Sequence, residues 1–102
     1  MLQLLFDAEG RLCGHVAVCE GGPCAIAARY RHMFEQAFAL GAAGFVLVHN
    51  HPSGDPRPSA RDIASTRALA GMARAMEIEF LDHLVIAPRA AVSMRRAGLM
   101  PA

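Results

Sequence analysis

The sequence predicts a single α/β domain, with a mixed β-sheet and two helices arranged in two or three layers. The chain has 102 residues, of which 54% are hydrophobic and 19% charged, so it can bury one core and is too apolar for intrinsic disorder. Its apolar residues follow the two-residue period of strands in some segments and the 3.6-residue period of helices in others. Two helical segments between strand segments are typical of an α/β fold.

The first half of the chain is predicted to form a hairpin, a helix and a buried strand. Gly10 provides the turn of the hairpin, and glycines and a proline end its second strand. Gly41 follows the last turn of the helix, and a continuous apolar run indicates a strand buried on both faces. The predicted elements are strands over 2–7 and 12–19, a helix over 29–40 with Tyr30, Met33, Phe34, Ala37 and Phe38 on its apolar face, and a strand over 45–48.

The second half is predicted to contain a loop, a second helix and two more strands. Three prolines and a glycine place a loop at 52–58. The helix starts at Ser59 and continues to about residue 76, and a last turn at 93–98 is capped by Ser93. The two strands flank Asp82. The predicted strands cover 77–81 and 83–87, and the apolar face of the helix carries Ile63, Leu69, Met72, Ala73 and Met76.

Charge and cysteine content exclude several classes of protein. The formal net charge of +1 argues against a dedicated binder of the nucleic-acid backbone. The three cysteines, Cys13, Cys19 and Cys24, match no zinc-ligand spacing, which indicates reduced thiols in a cytosolic protein. We find no membrane span and no secretion signal. We therefore expect a cytoplasmic protein without membrane contact.

Two histidines and one aspartate form the most informative pattern. His49 and His51 follow the buried strand directly, and alternation along an extended backbone directs both side chains to one face. After a seven-residue loop, Asp62 lies in the first turn of the next helix, where it can reach both imidazoles. Two nitrogens and one carboxylate, with a fourth position open to water, are the ligands of a catalytic zinc site. Iron or manganese would also suit this set.

Ser59 has two explanations at this stage. Its hydroxyl would lie beside the open metal position and could donate to the oxyanion of a tetrahedral intermediate. Ser59 and Asp62 also have the spacing of a helix capping box. Hydrolysis additionally requires a carboxylate that accepts a proton from the water. For Asp82 and His83 we expect a structural or supporting role rather than metal ligation.

The motif also resembles a known family. The stretch from Val48 to Thr66, VHNHPSGDPRPSARDIAST, resembles the RadC family, a bacterial branch of the JAB/JAMM metalloprotease-type domains. The segment LDHLVI over 81–86 is similar to a later segment of that family. Arg31 resembles the arginine that starts the family's first long helix, and 92–99 resembles its closing turn. The resemblance covers residues 5–100.

This resemblance implies a cytidine-deaminase-like three-layer α/β/α fold around a zinc site. It places the metal ligands at His49, His51 and Asp62 and the oxyanion donor at Ser59. The wider superfamily hydrolyses peptide or isopeptide bonds through a zinc-bound water and an upstream glutamate. RadC-like proteins are also associated with DNA repair.

The sequence departs from the family pattern in two places. The expected glutamate aligns with Val16, and Glu20 lies four residues later, about 13 Å further along a straight strand. A bend near the following glycines would bring Glu20 closer, so it is our candidate general base. Longer relatives carry a helix-hairpin-helix region before this domain, and the sequence in hand does not contain it. That difference argues against direct binding of nucleic acid.

Four functions compete at this point. The first is a zinc-dependent hydrolase with a peptide or protein substrate. The second, favoured by Val16, is a metal-binding but catalytically silent module for protein interactions. A metalloenzyme acting on nucleic acid is disfavoured by the charge, and a structural zinc site is disfavoured because such sites usually have four protein ligands. Pairing of edge strands between subunits would produce a homo-oligomer.

Overall fold

A computed structural model of the chain describes residues 1–18, 29–51 and 53–101. The described elements follow the predicted order of strand, strand, helix, strand, helix, strand, strand. None of the described helices is long and apolar enough to cross a membrane. The elements are β1 (Leu2–Phe6), β2 (Leu12–Ala17), α1 (Tyr30–Ala39), β3 (Gly44–Asn50), α2 (Ala60–Ala75), β4 (Glu79–Ala87) and β5 (Ala90–Ser93).

The five strands form one mixed sheet in the order β2-β1-β3-β4-β5. β3 is the central strand, antiparallel to β1 and parallel to β4. The other two neighbouring pairs are antiparallel. A parallel pair requires a crossover connection, and α2 provides it between β3 and β4. The predicted α/β class with a mixed sheet is confirmed.

Both helices cover the same face of the sheet. Gln3, Leu47 and His83 are register neighbours on β1, β3 and β4 and therefore point to one face. The Gln3 side chain donates a hydrogen bond of 3.4 Å to the Met33 carbonyl of α1. On the same face, Thr66 of α2 is hydrogen-bonded to His83 at 2.8 Å. The described elements thus form two layers, one of the two arrangements that the sequence patterns allowed, and neither α1 nor α2 supplies a layer on the opposite face.

The core lies between this face and the two helices. The ring of Phe45 stacks on that of Phe80 with centroids 4.8 Å apart, and Phe34 meets it edge-on at 6.2 Å. Each aromatic pair adds about 0.5–1.5 kcal/mol to the free energy gained by burial. The prediction that Phe38 belongs to the buried face of α1 is wrong, because Phe38 is 58% exposed.

The buried face of α2 also differs from the predicted apolar face. Met76 is 43% exposed, and Ile63 and Met72 are only partly buried. The buried residues recur with helical spacing but two of the four are polar, which hid this face from a search for apolar residues. They are Asp62, Thr66, Leu69 and Ala73.

The last two strands are not where the sequence predicted them. The segments 77–81 and 83–87 belong largely to one strand, β4, and the second strand is β5. Asp82 does not interrupt β4 because its carboxylate accepts three hydrogen bonds. Oδ1 accepts from the backbone N–H groups of His83 and Arg95 at 2.7 and 3.0 Å. Oδ2 accepts from the Ser93 hydroxyl. The predicted cap of the last turn is confirmed, since Arg96 N–H donates to Ser93 Oγ at 3.1 Å.

Candidate metal centre

The carboxyl end of β3 brings two imidazoles together. β3 pairs with β4 as far as Asn50, and the His51 N–H continues the pairing by donating to the Ile86 carbonyl at 2.7 Å. Alternation along this extended segment places His49 and His51 on the helix-covered face. Their ring centroids are 4.7 Å apart with planes at 80°. The prediction that both side chains point the same way is confirmed.

The loop after β3 orients the His51 ring. His51 Nδ1 lies 3.1 Å from the Asp55 carbonyl oxygen. A carbonyl only accepts, so Nδ1 carries a proton and Nε2 is the ring nitrogen that faces Asp62, which is the common orientation of metal-binding histidines. The Asp55 side chain bonds to the Arg57 guanidinium at 2.7 Å, and these hydrogen bonds lower the pKa of Asp55 to about 2.

The start of α2 positions the carboxylate. Asp62 N–H donates to Ser59 Oγ at 3.0 Å, and Ser59 N–H donates to Asp62 Oδ2 at 2.8 Å. These two bonds form a complete capping box. The Asp62 residue is only 3% exposed, so its side chain is fixed while its oxygens face the two histidines.

The three side chains converge with the geometry of a metal site. His49 Nδ1 lies 3.2 Å from Asp62 Oδ1, and His51 Nε2 lies 3.2 Å from Asp62 Oδ2. One ligand atom from each residue lies within 4.8 Å of the others. Two ligands bonded to a tetrahedral zinc ion at about 2.0–2.1 Å are about 3.3 Å apart. The two histidine–carboxylate separations are close to this value, although each involves a different oxygen of Asp62, and the three residues form a group that could hold a metal ion.

His49 Nδ1 supports this interpretation independently. It is buried and makes no hydrogen bond within the described part of the chain. Its 3.2 Å contact with Asp62 Oδ1 is mainly a charge interaction. Buried ring nitrogens are rarely left unpaired. A metal ion in line with the lone pair would satisfy this nitrogen, so the residues present fit a bound cation.

The electrostatics keep the ligands in the protonation states that metals require. Burial lowers the pKa of His49, and this effect exceeds the opposing attraction of the Asp62 carboxylate. Burial alone would raise the pKa of Asp62, but hydrogen bonds with Ser59 and the nearby histidines outweigh it, so the pKa lies below its usual value. At neutral pH His49 is neutral and Asp62 is ionised, as metal binding requires.

A buried polar pair lies behind the ligands. His83 is 0% exposed, and burial lowers its pKa to about 4. Its ring lies nearly parallel to that of His49, with centroids 6.0 Å apart. Its Nδ1 is 2.8 Å from Thr66 Oγ1. Thr66 was not among the residues predicted from the sequence. Its position one helical turn after Asp62, on the same face of α2, is the signal that could have identified it.

Of the two residues predicted to bind the oxyanion and to transfer the proton, Ser59 and Glu20, the structure describes only Ser59. Ser59 lies at the site, where its oxygen accepts the Asp62 N–H and its hydroxyl proton remains available for donation. Glu20 lies outside the described residues. Val16 is in register with Gln3, and Gln3 with Leu47. Position 16 is therefore level with Leu47, two residues before His49, and its side chain packs against the core.

Comparison with known proteins places this sequence in a family. A family model described as RadC-like JAB domain matches residues 1–99. A UPF0758 protein of Roseiflexus castenholzii is 41% identical over 96 residues, covering 94% of this chain and 41% of that protein. The UPF0758 protein YsxA of Bacillus subtilis is 49% identical over 70 residues, covering 69% of this chain and 30% of YsxA.

A third relative extends the same match almost to both ends. A UPF0758 protein of Pelobacter propionicus is 40% identical over 99 residues, covering 97% of this chain and 43% of that protein. The chain thus spans less than half the length of these curated relatives. The resemblance seen in the sequence is confirmed, and with a family match over nearly all its residues the chain belongs to the RadC-like JAB domain family.

Proposed function

We propose that this domain binds one zinc ion through His49, His51 and Asp62 and hydrolyses an amide, peptide or isopeptide bond. The observation that carries the proposal is the convergence of three ligand atoms within 4.8 Å of one another. Two imidazoles and one carboxylate match the catalytic zinc sites that keep a position open. When bound, zinc supplies Lewis acidity and lowers the pKa of a water in that position to about 7.

The residues of the chain have separate tasks in this proposal. His51 is held with its Nε2 lone pair toward the site by the Asp55 carbonyl at 3.1 Å. Asp62 supplies the negative charge, and its capping box fixes its orientation. Ser59 donates a hydrogen bond from its hydroxyl to the carbonyl oxygen of the substrate, where negative charge develops. Glu20 accepts a proton from the attacking water and delivers it to the leaving nitrogen.

A second candidate function is a metal-binding module without catalysis. The observation that favours it is Val16, which occupies the position aligned with the family's glutamate and packs against the core. A valine cannot transfer a proton, so this alternative holds if Glu20 does not serve as the base. The module would then act through contacts with other proteins.

The biological setting is part of the same proposal. A peptide or protein substrate fits the proposed bond type. We further propose that the protein acts in the cytoplasm, forms a homo-oligomer and is linked to DNA repair. Because the chain is less than half as long as its curated relatives, activities of such longer proteins can involve parts beyond this domain. Direct binding of nucleic acid is disfavoured by the net charge of +1.

Metal content tests the proposed site. Purified protein should contain about one equivalent of zinc by mass spectrometry, and a His49→Ala/His51→Ala variant should contain almost none. His32→Ala is the matched control, since His32 is an exposed histidine on α1. Full zinc occupancy in the double variant, or a folded wild-type protein that takes up no zinc, would contradict the site.

Substitution of the candidate base separates the two functions. Glu20→Gln should abolish hydrolysis of peptide or isopeptide substrates and leave the zinc content unchanged, because an amide cannot accept the proton. Glu9→Gln, at an exposed position in the first hairpin, is the control. Unchanged turnover in Glu20→Gln would exclude Glu20 as the base. A zinc-loaded wild-type protein without turnover on either substrate would support the silent module.

A further inference from the structure

The helix that carries Asp62 presents a second buried polar group. Thr66 follows Asp62 by one helical turn, and the two residues are 1% and 3% exposed, respectively. Beyond them the buried face of α2 continues with Leu69 and Ala73. The polar part of this face therefore coincides with the end of α2 nearest the candidate metal centre.

The partner of Thr66 belongs to the strand beside the histidine ligands. His83 on β4 is in register with Leu47 on β3, two residues before His49. Its Nδ1 lies 2.8 Å from Thr66 Oγ1, and its ring lies nearly parallel to that of His49. One hydrogen bond thus joins the helix that carries Asp62 to the strand paired with the one that carries His49.

The tautomer of His83 follows from the contacts of Thr66. Thr66 Oγ1 also lies 3.6 Å from Met94 Sδ, to which its hydroxyl can donate. Both contacts are satisfied when His83 Nδ1–H donates to Thr66 Oγ1 and the Thr66 hydroxyl donates to the sulfur. His83 Nε2 then carries a buried lone pair, which has no hydrogen-bond partner among the described residues.

The buried polar pair carries an energetic cost. A buried polar group that lacks a partner costs about 1–3 kcal/mol, and among the described residues the His83 Nε2 atom has none. A buried polar pair is best explained where it specifies one arrangement of the elements that it joins. Here that arrangement is the distance between the start of α2 and the end of β3.

We propose that Thr66 and His83 form a positioning pair whose hydrogen bond sets the separation of Asp62 from the two histidine ligands and thereby tightens zinc binding. The inference rests on the proposed zinc site and adds two residues that do not contact the ion. Without the bond, α2 keeps its apolar contacts with the sheet, but Asp62 is no longer fixed 3.2 Å from each histidine nitrogen. Loss of this bond should therefore lower metal affinity, whereas a substitution that only weakens the apolar packing of α2 should lower stability alone.

Zinc affinity, measured by competition with a chromophoric chelator, tests the pair. Thr66→Val replaces the hydroxyl by a methyl group of similar size and should weaken Zn²⁺ binding about 10-fold, the lower end of the range for groups bonded directly to metal ligands, because Thr66 acts through the position of α2. Thr66→Ser keeps the hydroxyl and should remain within about threefold of wild type. Thr66→Ala must show the same loss as Thr66→Val, and it carries the test if the valine variant does not fold.

A matched control separates positioning from general destabilisation. Leu69→Ala alters the same buried face of α2 without removing a polar group, so it should lower the urea midpoint of the metal-free protein and leave Zn²⁺ affinity near wild type. Equal losses of affinity in Leu69→Ala and Thr66→Val would overturn the inference, as would unchanged affinity in Thr66→Val. A wild-type protein that binds no Zn²⁺ would defeat the proposed site as well, and the two failures are thereby distinguished.

Discussion

At the scale of single residues, Asp62 takes part in two sets of contacts, those of a helix cap and those with the two histidines. Its side chain accepts the Ser59 N–H at 2.8 Å and so completes the capping box. The same carboxylate places Oδ1 and Oδ2 each 3.2 Å from a histidine nitrogen. A carboxylate has about four lone-pair directions, and this capacity allows one side chain to serve both purposes.

The convergence of His49, His51 and Asp62 could be predicted because it depends on local spacing. Alternation along β3 places His49 and His51 on one face, and one helix start lies within reach of them. His83 was expected in a supporting role, but its partner Thr66 could not be found this way, because their contact joins positions 17 residues apart through the tertiary packing of α2 on β4. Glu20 lies outside the described residues, so its role stays a prediction.

Substitution of Ser59 by glycine should separate its two explanations. Glycine is accepted at helix N-caps with a loss of only a few tenths of a kcal/mol, so the free energy of unfolding should hardly change. If Ser59 donates to the oxyanion, hydrolysis should fall about 100- to 1000-fold. Ser59→Thr, which keeps a hydroxyl, should retain turnover. Steady-state kinetics measure the turnover, and urea unfolding measures the free energy of unfolding. Full turnover in Ser59→Gly would show that Ser59 serves only as a helix cap.

At the scale of secondary-structure elements, β4 shows where sequence patterns mislead. Asp82 suggested a break between two strands, because a charged residue in the middle of an apolar run is typical of a turn. In the fold its carboxylate accepts hydrogen bonds from His83, Ser93 and Arg95. Two of those partners, Ser93 and Arg95, belong to the end of β5 and the turn after it, so the continuity of the strand depends on contacts that no local window contains.

Removal of the Asp82 carboxylate should loosen the end of the chain. Asp82→Ala leaves two backbone N–H groups and one hydroxyl without their acceptor, so we expect the free energy of unfolding to fall by about 2–4 kcal/mol. Amide hydrogen exchange should accelerate mainly in β5 and in residues 94–98. Glu79→Ala, at an exposed position of the same strand, is the control and should stay within about 0.5 kcal/mol of wild type. Uniform exchange rates in both variants would contradict this role.

At the scale of the whole molecule, stability depends on the layer between the sheet and its two helices. The order of elements and the α/β class followed from periodicity alone, because strand and helix patterns alternate clearly along the chain. The sheet face on which each helix packs could not be predicted from the sequence. Periodicity shows that a helix has a buried face but not which face of the sheet it covers. Contacts of Gln3 with Met33 and of Thr66 with His83 decide this point.

Truncation of the central aromatic residue should test this layer. Phe45 is 0% exposed and contacts both Phe34 and Phe80, so Phe45→Ala should lower the free energy of unfolding by about 3–5 kcal/mol. A domain of this kind has about 5–15 kcal/mol in total. Phe38→Ala, at a 58% exposed phenylalanine, should cost less than about 1 kcal/mol. Similar urea midpoints for the two variants would contradict the assignment of the core.

The short distance along the chain between the ligands has a consequence for how the centre assembles. His49 and Asp62 are 13 positions apart, and the entropy lost on closing a loop rises only with the logarithm of its length. Closing this segment alone therefore costs little entropy, while the pairing of β3 with β4 and the packing of α2 on the sheet complete the alignment of the three side chains.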